Sequence, residues 1–240
     1  MVKLSIIIPC FNEEKNIIHL YREFCDYYKG LEYSSELIFV DNGSIDKTNE
    51  AIDQVLSFEK EQNIFVKKVS LKENTGYGGG IMAGLNESAG SLVGWTHGDL
   101  QCPIKDFDLI LKKVGEKENK NFFGKGKRIN NRGVDSIVSR FHERCASFIL
   151  GYKMREINAQ PKIFNKNFIK ELKNPPKNYA MLDTYALYIA LKNKYEIFEI
   201  DVCFNLRKHG FSKFKNNWKS FFLHIFYNFI YLFILRFKNE

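Results

Sequence analysis

Four short apolar runs in the first hundred residues each end in a polar or glycine-rich turn. The runs cover residues 4–8, 36–40, 64–71 and 91–96, and the first stops at Pro9. In the segments between them, apolar side chains recur at three- and four-residue intervals, which is the period of a helix packed on one face. This alternation of strand and helix predicts an α/β fold of Rossmann type, with a mostly parallel central sheet flanked by helices.

The helix boundaries are predicted from capping residues. Asn12 is a plausible N-cap for the first helix, because Glu13 and Glu14 would then lie in the first turn, where the helix dipole favours negative charge. A second helix is predicted from near Asp46, and a third over residues 78–88.

Composition sets limits on the class of protein. The 240 residues are 45% hydrophobic and 27% charged, which excludes a disordered chain. The net charge of +8 predicts an acidic partner such as a nucleotide or an anionic membrane. Nucleic acid is not expected, since no aromatic-basic recognition motif is present. Five scattered cysteines without metal-ligand spacing, and an amino terminus without a signal peptide, predict a cytoplasmic location.

The second half of the chain is less regular. A basic, glycine-containing stretch over residues 117–133 is predicted to be a mobile surface loop. Residues 218–237 are dominated by Phe, Leu, Ile and Tyr. The uninterrupted part, residues 221–237, would span about 25 Å as a helix, against ~30 Å for the hydrocarbon of a bilayer. We therefore expect this segment to lie on a membrane rather than to cross it.

Polar residues gather where each predicted strand ends, in residues 9–14, 41–46, 74–80 and 97–101. Ligands of parallel α/β sheets bind beyond the carboxyl ends of the strands. The four turns therefore predict one crevice for a nucleotide and a divalent cation. The alternative is that Asp41 and Asp46 only form a turn and cap a helix.

The glycine-rich turn permits a second interpretation. Gly78, Gly80 and Ala83 satisfy a dinucleotide-binding fingerprint, and Asp99 follows at about the expected distance of ~20 residues, as in a dehydrogenase. That fingerprint normally opens the first strand-helix unit, which is not its position here. Close backbone approach or helix packing explains the glycines equally well.

A cation site is predicted in the last of these turns. His97, Asp99 and Gln101 alternate along an extended segment, so their side chains could converge. Imidazole, carboxylate and amide oxygen suit Mg²⁺ or Mn²⁺, with phosphate oxygens filling the remaining positions. Alternatively, His97 is an ordinary hydrogen-bonding surface residue.

Taken together, four motifs resemble family 2 glycosyltransferases of the GT-A fold, and the resemblance covers residues 4–103. They are Ser5-Ile-Ile-Ile-Pro-Cys-Phe-Asn-Glu-Glu14, Val40-Asp-Asn-Gly-Ser-Ile-Asp-Lys-Thr48, Asn74-x-Gly-x-Gly-Gly80 and Gly98-Asp-Leu-Gln101. Farther along, Arg207-Lys-His-Gly210-Phe-Ser212-Lys213 resembles an element of the dolichyl-phosphate mannose synthase and bacterial polyprenyl-phosphate glycosyltransferase branch.

The resemblance implies roles by position. Asp99, with His97 and Gln101, would bind the Mg²⁺ or Mn²⁺ that bridges the diphosphate, and Arg207 and Lys213 would clamp phosphate. The residues that would contact a substrate are Pro9, Asn12, Glu14, Asp41, Asn42, Gly76, Gly78, Asp99, Gln160 and Ser212. Gln160 lies in Asn158-Ala-Gln-Pro161, which looks like the acceptor-side loop. In two positions, Asn42 and His97, the family usually has Asp.

The chemistry follows from charge. Breaking the anomeric bond builds negative charge on the leaving phosphate, which a cation and paired Arg and Lys stabilise. A lipid phosphate acceptor is already ionised, whereas a sugar hydroxyl needs a carboxylate base. Asp183 is the candidate base, although it also suits a helix N-terminus. Arg140 and Arg144 could hold an acidic head group together with Lys125, Lys127 and Arg128.

The sequence therefore predicts a metal-dependent inverting glycosyltransferase that moves a sugar from a nucleotide-sugar to a polyprenyl phosphate. It would lie peripherally on the anionic inner face of the cell membrane. Residues 1–215 would form the catalytic domain, with a nucleotide-sugar half (1–103) and an acceptor half (104–215), and residues 216–240 the membrane-associating helix. The alternatives are a hydroxyl of a lipid-linked glycan as acceptor, or a noncatalytic nucleotide-binding protein.

Overall fold

The structure is a computed structural model that describes residues 2–58, 62–115, 120–130, 134–177, 179–205 and 218–237. These residues form seven strands: β1 (Val2–Cys10), β2 (Ser34–Asn42), β3 (Ile64–Leu71), β4 (Leu92–Trp95), β5 (Phe122–Arg128), β6 (Lys162–Asn165) and β7 (Glu196–Val202). They also form seven α-helices: α1 (Ile17–Tyr28), α2 (Thr48–Leu56), α3 (Gly76–Asn86), α4 (Asp106–Val114), α5 (Val134–Leu150), α6 (Tyr179–Lys192) and α7 (Trp218–Phe237). A 3-10 helix covers Lys166–Glu171.

All seven strands belong to one sheet in the order β3-β2-β1-β4-β6-β5-β7. The first four are parallel, so their carboxyl ends lie at the same edge. Strand β6 runs antiparallel to β4 and β5, while β5 and β7 are parallel. The expectation of a mostly parallel sheet flanked by helices is confirmed.

Apolar layers cover both faces of the sheet. Along β1, Ile6 and Ile8 point into a layer built with α1, α2 and α4, and Ile7 points into a second layer built with α3, α5, α6 and α7. Alternation along a strand places successive side chains on opposite faces, which explains why the first run is apolar throughout. Each such side chain contributes about 1.5–3 kcal/mol on full burial.

The predicted cap of the first helix is wrong. Helix α1 begins at Ile17, five residues after Asn12. Asn12 instead has a φ of 60°, in the left-handed region that asparagine tolerates, and its side-chain oxygen accepts a hydrogen bond from the Ile45 amide at 3.0 Å. Its side chain therefore joins two loops rather than ending a helix.

The predicted surface loop over residues 117–133 is also wrong where the structure describes it. Residues 122–128 form β5, inside the sheet between β6 and β7. The lysine that suggested exposure, Lys125, is buried, and its ammonium contacts Glu199 Oε1 at 2.7 Å and donates to the Arg155 carbonyl at 2.9 Å. The local sequence did not indicate that residues from distant segments would surround Lys125.

The apolar carboxyl-terminal segment forms the helix α7. Among the side chains of α7 that the structure describes, residues 226–237, those of Asn228, Leu232 and Leu235 are buried, and the helix packs against α5 and α6. No helix among the described residues has both the length and the apolarity needed to cross a bilayer.

Candidate active site

Two loops at the carboxyl edge of the sheet are joined by hydrogen bonds. The Asn12 amide donates to Ser44 Oγ at 3.1 Å, and the Lys47 amide donates to Glu14 Oε2 at 3.1 Å. The loop after β1 is thereby fixed to the loop after β2. Asn12 and Glu14 lie at the predicted crevice, with Asn12 exposed and Glu14 half-buried.

Asp41 stabilises the turn after β2. Its carboxylate accepts hydrogen bonds from the Ser44 amide at 3.0 Å and from Asn49 Nδ2 at 2.8 Å. The nearby Asp46 accepts from the Thr48 amide at 3.0 Å, at the start of α2. The turn and cap roles considered from the sequence are both present, and a contact between Asp41 and a nucleotide stays a prediction.

Asn42 is buried and connects β2 to the glycine-rich turn. Its side-chain oxygen accepts from both the amide and the hydroxyl of Thr75, each at 3.0 Å. Its Nδ2 donates to the Gly76 carbonyl at 2.9 Å. The side chain uses both halves of the amide, which an aspartate could not do.

The glycines of this turn lie against a neighbouring loop. A Cβ on Gly78 would lie 2.2 Å from the Pro176 carbonyl oxygen, and one on Gly76, where φ is +81°, would lie 2.5 Å from the Lys177 oxygen. The Gly78 amide donates to that same Lys177 oxygen at 2.8 Å. Close backbone approach therefore accounts for these glycines without the dinucleotide fingerprint, and a substrate contact of Gly76 or Gly78 stays a prediction.

The predicted metal turn follows β4. Asp99 is 5% exposed, and its Oδ1 accepts from the Gln101 amide at 3.2 Å across Leu100, whose φ is 61°. The ring of His97 stacks on Tyr77 with centroids 5.6 Å apart. Phe204 approaches the other ring edge at 6.2 Å.

The turns after β3 and β4 and the end of β2 lie close to Pro9 of β1. A Cβ on Gly98 would lie 3.3 Å from the Pro9 oxygen, and one on Gly80 would lie 3.4 Å from Pro9 Cβ and 3.1 Å from Asn42 Nδ2. The metal turn, the glycine turn and the end of β2 therefore meet where the sequence predicted one crevice.

Three carboxylates near the end of β1 contribute a negative electrostatic field at Cys10. Burial raises the pKa of the Cys10 thiol well above its ordinary value, and the carboxylates of Glu13, Asp41 and Asp46 raise it further. Cys10 is paired with Asp41 across the strands. Such a field favours a cation, and it requires one if a diphosphate is to bind here.

A buried polar cluster from the predicted acceptor half contacts Trp95, the last residue of β4. Asp183 is fully buried, and it accepts hydrogen bonds from Trp95 Nε1 at 3.3 Å and from Gln160 Nε2 at 3.2 Å. Lys162 Nζ lies 3.7 Å from the same carboxylate. Burial lowers the pKa of Lys162 to about 8, although Asp183 opposes this shift.

Arg128 ends β5 on the same side. Its Nε donates to Glu156 Oε2 at 2.5 Å, and its side chain is 5% exposed. The Nη2 atom of Arg128 is buried and has no hydrogen-bond partner. Burial and the neighbouring Glu156 raise the pKa of Glu143, although the Arg128 guanidinium opposes this shift.

Three predicted residues fall outside the described part of the chain. Arg207, Ser212 and Lys213 lie between residues 206 and 217, of which nothing is described. The described segment after β7 ends at Asn205, which is hydrogen-bonded to Gln101 of the metal turn.

The sequence profile of glycosyl transferase family 2 matches residues 5–189, which is most of the chain and runs from within β1 to within α6. This chain belongs to glycosyl transferase family 2.

Two similar proteins carry the name of a polyprenyl phosphate. The chain is 24% identical over 217 residues to a dodecaprenyl-phosphate galacturonate synthase of Rhizobium johnstonii, covering 89% of this chain and 62% of the relative. It is 29% identical over 157 residues to an undecaprenyl-phosphate 4-deoxy-4-formamido-L-arabinose transferase of Proteus mirabilis, covering 65% and 42%. The chain thus spans less than two thirds of the length of both relatives.

Solved structures share the fold. Glucosyl-3-phosphoglycerate synthase from Mycobacterium tuberculosis, in complex with Mg²⁺ and UDP, superposes with a TM-score of 0.70 at 16% identity, over 98% of this chain and 79% of that one. A mannosyltransferase from Pyrobaculum calidifontis, in complex with GDP-mannose and Mn²⁺, gives 0.61 at 16% identity, over 87% and 58%. The fold is that of GT-A glycosyltransferases.

Two site residues of this family 2 chain were not predicted. Trp95 and Lys162 complete the buried cluster around Asp183. The one available signal was Lys162 itself, a charged residue beside the apolar pair Ile163 and Phe164 in a short strand. A lysine in a buried strand indicates a buried anion, but spacing alone does not show which one.

Proposed function

We propose that this family 2 chain is the catalytic part of a metal-dependent inverting glycosyltransferase that moves a sugar from a nucleotide-sugar to a polyprenyl phosphate. The observation that carries the proposal is the unpartnered Nη2 of Arg128, which lies at the end of β5 and at the same edge of the sheet as the end of β4. A buried guanidinium N–H without an acceptor is costly, and a phosphate oxygen is the acceptor that guanidinium binds best.

The residues fit a divalent cation that arrives with its substrate. No group of three or more His, Cys, Asp or Glu side chains among the described residues could hold a metal by itself. Mg²⁺ commonly takes only one or two protein carboxylates and completes its shell with phosphates and water. Asp99, with Gln101 and His97 beside it, matches that smaller donor set, and bound Mg²⁺ or Mn²⁺ would neutralise charge on the leaving diphosphate.

The chain's own residues account for the remaining requirements. The turns near Pro9, which hold Asn12, Glu14, Asp41 and Asn42 at one edge of the sheet, support binding of the nucleotide. Arg207, Ser212 and Lys213 follow in sequence after Asn205, and we propose that they bind phosphate. An ionised phosphate acceptor attacks the anomeric carbon from the face opposite the diphosphate, which inverts its configuration and needs no base.

The test is a matrix of sugar donors and acceptors with Mn²⁺. UDP- and GDP-sugars are each incubated with undecaprenyl phosphate or with a lipid-linked glycan, and the configuration of the product is determined by NMR. We expect a β-linked polyprenyl-phosphate sugar from an α-linked donor. Transfer only to the glycan hydroxyl, or nucleotide binding without any turnover, would overturn the proposal in favour of one of the two alternatives.

Arg128 provides the sharper variant. Arg128→Gln should raise the KM for the lipid phosphate about tenfold or more, because a charged hydrogen bond contributes about 1.5–3 kcal/mol. The matched control is Lys67→Gln, because Lys67 is half-exposed on β3 and forms a surface pair with Glu87 at 2.8 Å. Equal KM values for the two variants would contradict a phosphate site at Arg128.

A membrane surface is proposed as the place of reaction. Ile137, Arg140, Phe141, Arg144 and Phe148 share one exposed face of α5, and Phe148 is 90% exposed. The adjacent α7 exposes Phe226, Tyr227, Phe229, Ile230, Phe233, Ile234 and Phe237. Aromatic side chains interleaved with arginine suit the head-group region of an anionic membrane. We propose attachment to the inner face of the cell membrane.

Vesicle flotation tests this attachment. The full chain should float with vesicles containing phosphatidylglycerol and less well with phosphatidylcholine alone. Arg140→Gln with Arg144→Gln should weaken binding to the anionic vesicles about 30-fold, at about 1 kcal/mol per arginine. Phe65→Ser, at a half-exposed position on β3, is the control. Self-association that buries this face without lipid would contradict the proposal.

A further inference from the structure

The carboxylate of Asp183 joins three separate elements of the structure. It accepts from Trp95 of β4, from Gln160 of the loop before β6, and it pairs with Lys162 of β6. Gln160 Nε2 lies 3.2 and 3.3 Å from the two carboxylate oxygens. All four residues are fully buried.

Trp95 and Gln160 connect Asp183 to the metal turn and to the strand that ends at Arg128. Strand β4 ends at Trp95, two residues before His97 and four before Asp99. The Gln160 loop is fixed to β5 because the Gly126 amide donates to the Pro161 carbonyl at 3.0 Å. Strand β5 then ends at Arg128. The position of Asp183 therefore sets the separation between the metal turn and the acceptor-side arginine.

We propose that Asp183 is a positioning residue, which acts through Trp95 and Gln160 and takes no proton from the acceptor. Its carboxylate accepts from two N–H donors and lies 3.7 Å from the Lys162 ammonium, and its side chain has no exposed surface that an acceptor hydroxyl could reach. The inference rests on the proposed function and deepens it, because a transferase without a carboxylate base requires an acceptor that is already ionised.

Charge balance makes this role testable. Burial disfavours the charged form of Lys162, and the carboxylate of Asp183 is the group that stabilises this charge most. Removing one partner of a buried ion pair leaves an unpaired charge, whereas removing both is often nearly neutral. Asp183→Asn should therefore be harmful alone, and Lys162→Met in the same chain should repair it.

The experiment compares Asp183→Asn with the double variant Asp183→Asn/Lys162→Met in the full chain. We expect Asp183→Asn to lower both Tm and kcat, with kcat falling about 100-fold, as for a small misplacement of reacting groups. The double variant should recover Tm and most of kcat. Asp108→Asn is the matched control, since Asp108 is a buried carboxylate of α4 bonded to the Tyr27 and Tyr33 hydroxyls. It should lower Tm and leave kcat unchanged.

Two results would overturn the proposal. If the double variant recovers Tm while kcat stays low, Asp183 takes part in the chemistry. If Asp183→Asn alone keeps the kcat of the unsubstituted chain, its contacts do not position the site. The pH profile of kcat gives the same distinction. If Asp183 were the base, Asp183→Asn would abolish the acidic limb of the profile, whereas loss of a positioning residue would leave that limb in place.

A readout without turnover separates this inference from the proposed function. If the unsubstituted chain transfers no sugar, the proposed function fails. The positioning role of Asp183 is then judged from the Trp95 indole N–H resonance and from UDP binding in Mn²⁺. Trp218→Phe leaves Trp95 as the sole tryptophan. Asp183→Asn should shift that resonance and weaken UDP binding, and Asp108→Asn should do neither. An unshifted resonance would overturn the inference.

Discussion

Gln101 and Asn205 are joined by two reciprocal hydrogen bonds, although 104 residues separate them. Gln101 Nε2 donates to the Asn205 carbonyl at 2.8 Å, and the Asn205 amide donates to the Gln101 carbonyl at 2.9 Å. The end of the described segment after β7 is therefore fixed to the metal turn. The phosphate-binding element proposed for residues 207–213 begins two residues later in the sequence.

Gln101→Glu tests this link. A carboxylate can still supply an oxygen to Mn²⁺, but it cannot donate to the Asn205 carbonyl. We expect kcat/KM to fall about fivefold, the effect of one hydrogen bond of about 1 kcal/mol, while the Mn²⁺ requirement is kept. The control is Gln54→Glu, at an exposed position of α2. Unchanged kcat/KM in Gln101→Glu would contradict the role of the link.

Asn42→Asp restores the residue that the family usually has, and we expect it to destabilise this chain. The new carboxylate cannot donate to the Gly76 carbonyl, so that acceptor loses its partner, and a charge is buried beside it. The cost should be about 1–3 kcal/mol, which lowers Tm by roughly 3–10 °C. Thermal unfolding by circular dichroism measures it. Gln62→Glu, an exposed amide-to-acid change, should leave Tm nearly unchanged.

Gly78→Ala should disturb the contact between α3 and the loop before α6. The added methyl would lie 2.2 Å from the Pro176 carbonyl oxygen, which is backbone and must move. We expect a loss of about 1–3 kcal/mol in the free energy of unfolding, as for overpacking. At Gly30 a methyl meets nothing within 4 Å, so Gly30→Ala is the control in the same urea titration. Equal stabilities for the two variants would be inconsistent with the packing described.

Two carboxylates of α4 should give opposite pH dependence. Burial raises the pKa of Asp106 to about 6. The folded state then binds more protons than the unfolded state between pH 4 and 6, so this group lowers stability as pH rises through that window. Asp106→Asn should therefore raise Tm at pH 7.5 by about 2–4 °C and have little effect near pH 4.

The pKa of Asp108 is shifted in the opposite direction to that of Asp106. Burial would raise its pKa, but hydrogen bonds from Lys112, Tyr33 and Tyr27 outweigh burial and lower it. Its contribution to stability is present above the unfolded pKa and is lost as pH falls. Asp108→Asn should lower Tm at pH 7.5, and the difference should shrink in acid. Differential scanning calorimetry of both variants at pH 4 and 7.5 checks the pair, and shifts of the same sign would contradict it.

Local patterns were sufficient for the first half of the fold. The strand over residues 64–71 was predicted at the bounds that β3 has, and the order of strands and helices through β4 was correct. Such patterns succeed because a strand buried on both faces must be apolar throughout, and a helix on the sheet must repeat its apolar residues every turn. The convergence of the turns followed from the parallel direction of the strands.

The contacts of the buried lysines in β5 and β6 could not be predicted in this way. Lys125 and Lys162 are charged residues whose partners come from β7, the loop at residue 155 and α6. A sequence read locally places such lysines on the surface, where free lysines normally lie.

The sequence by itself determined the α/β fold, the family and the set of polar turns at one edge of the sheet, because each depends on periodicity and short motifs. Only the tertiary structure decided what several of those residues do. Asn12 links two loops, Asn42 is hydrogen-bonded to the glycine-rich turn, and Asp183 forms a buried ion pair. The physical reason is that a polar side chain's role depends on which partners surround it and how far water is excluded, and both arise from segments distant in the chain.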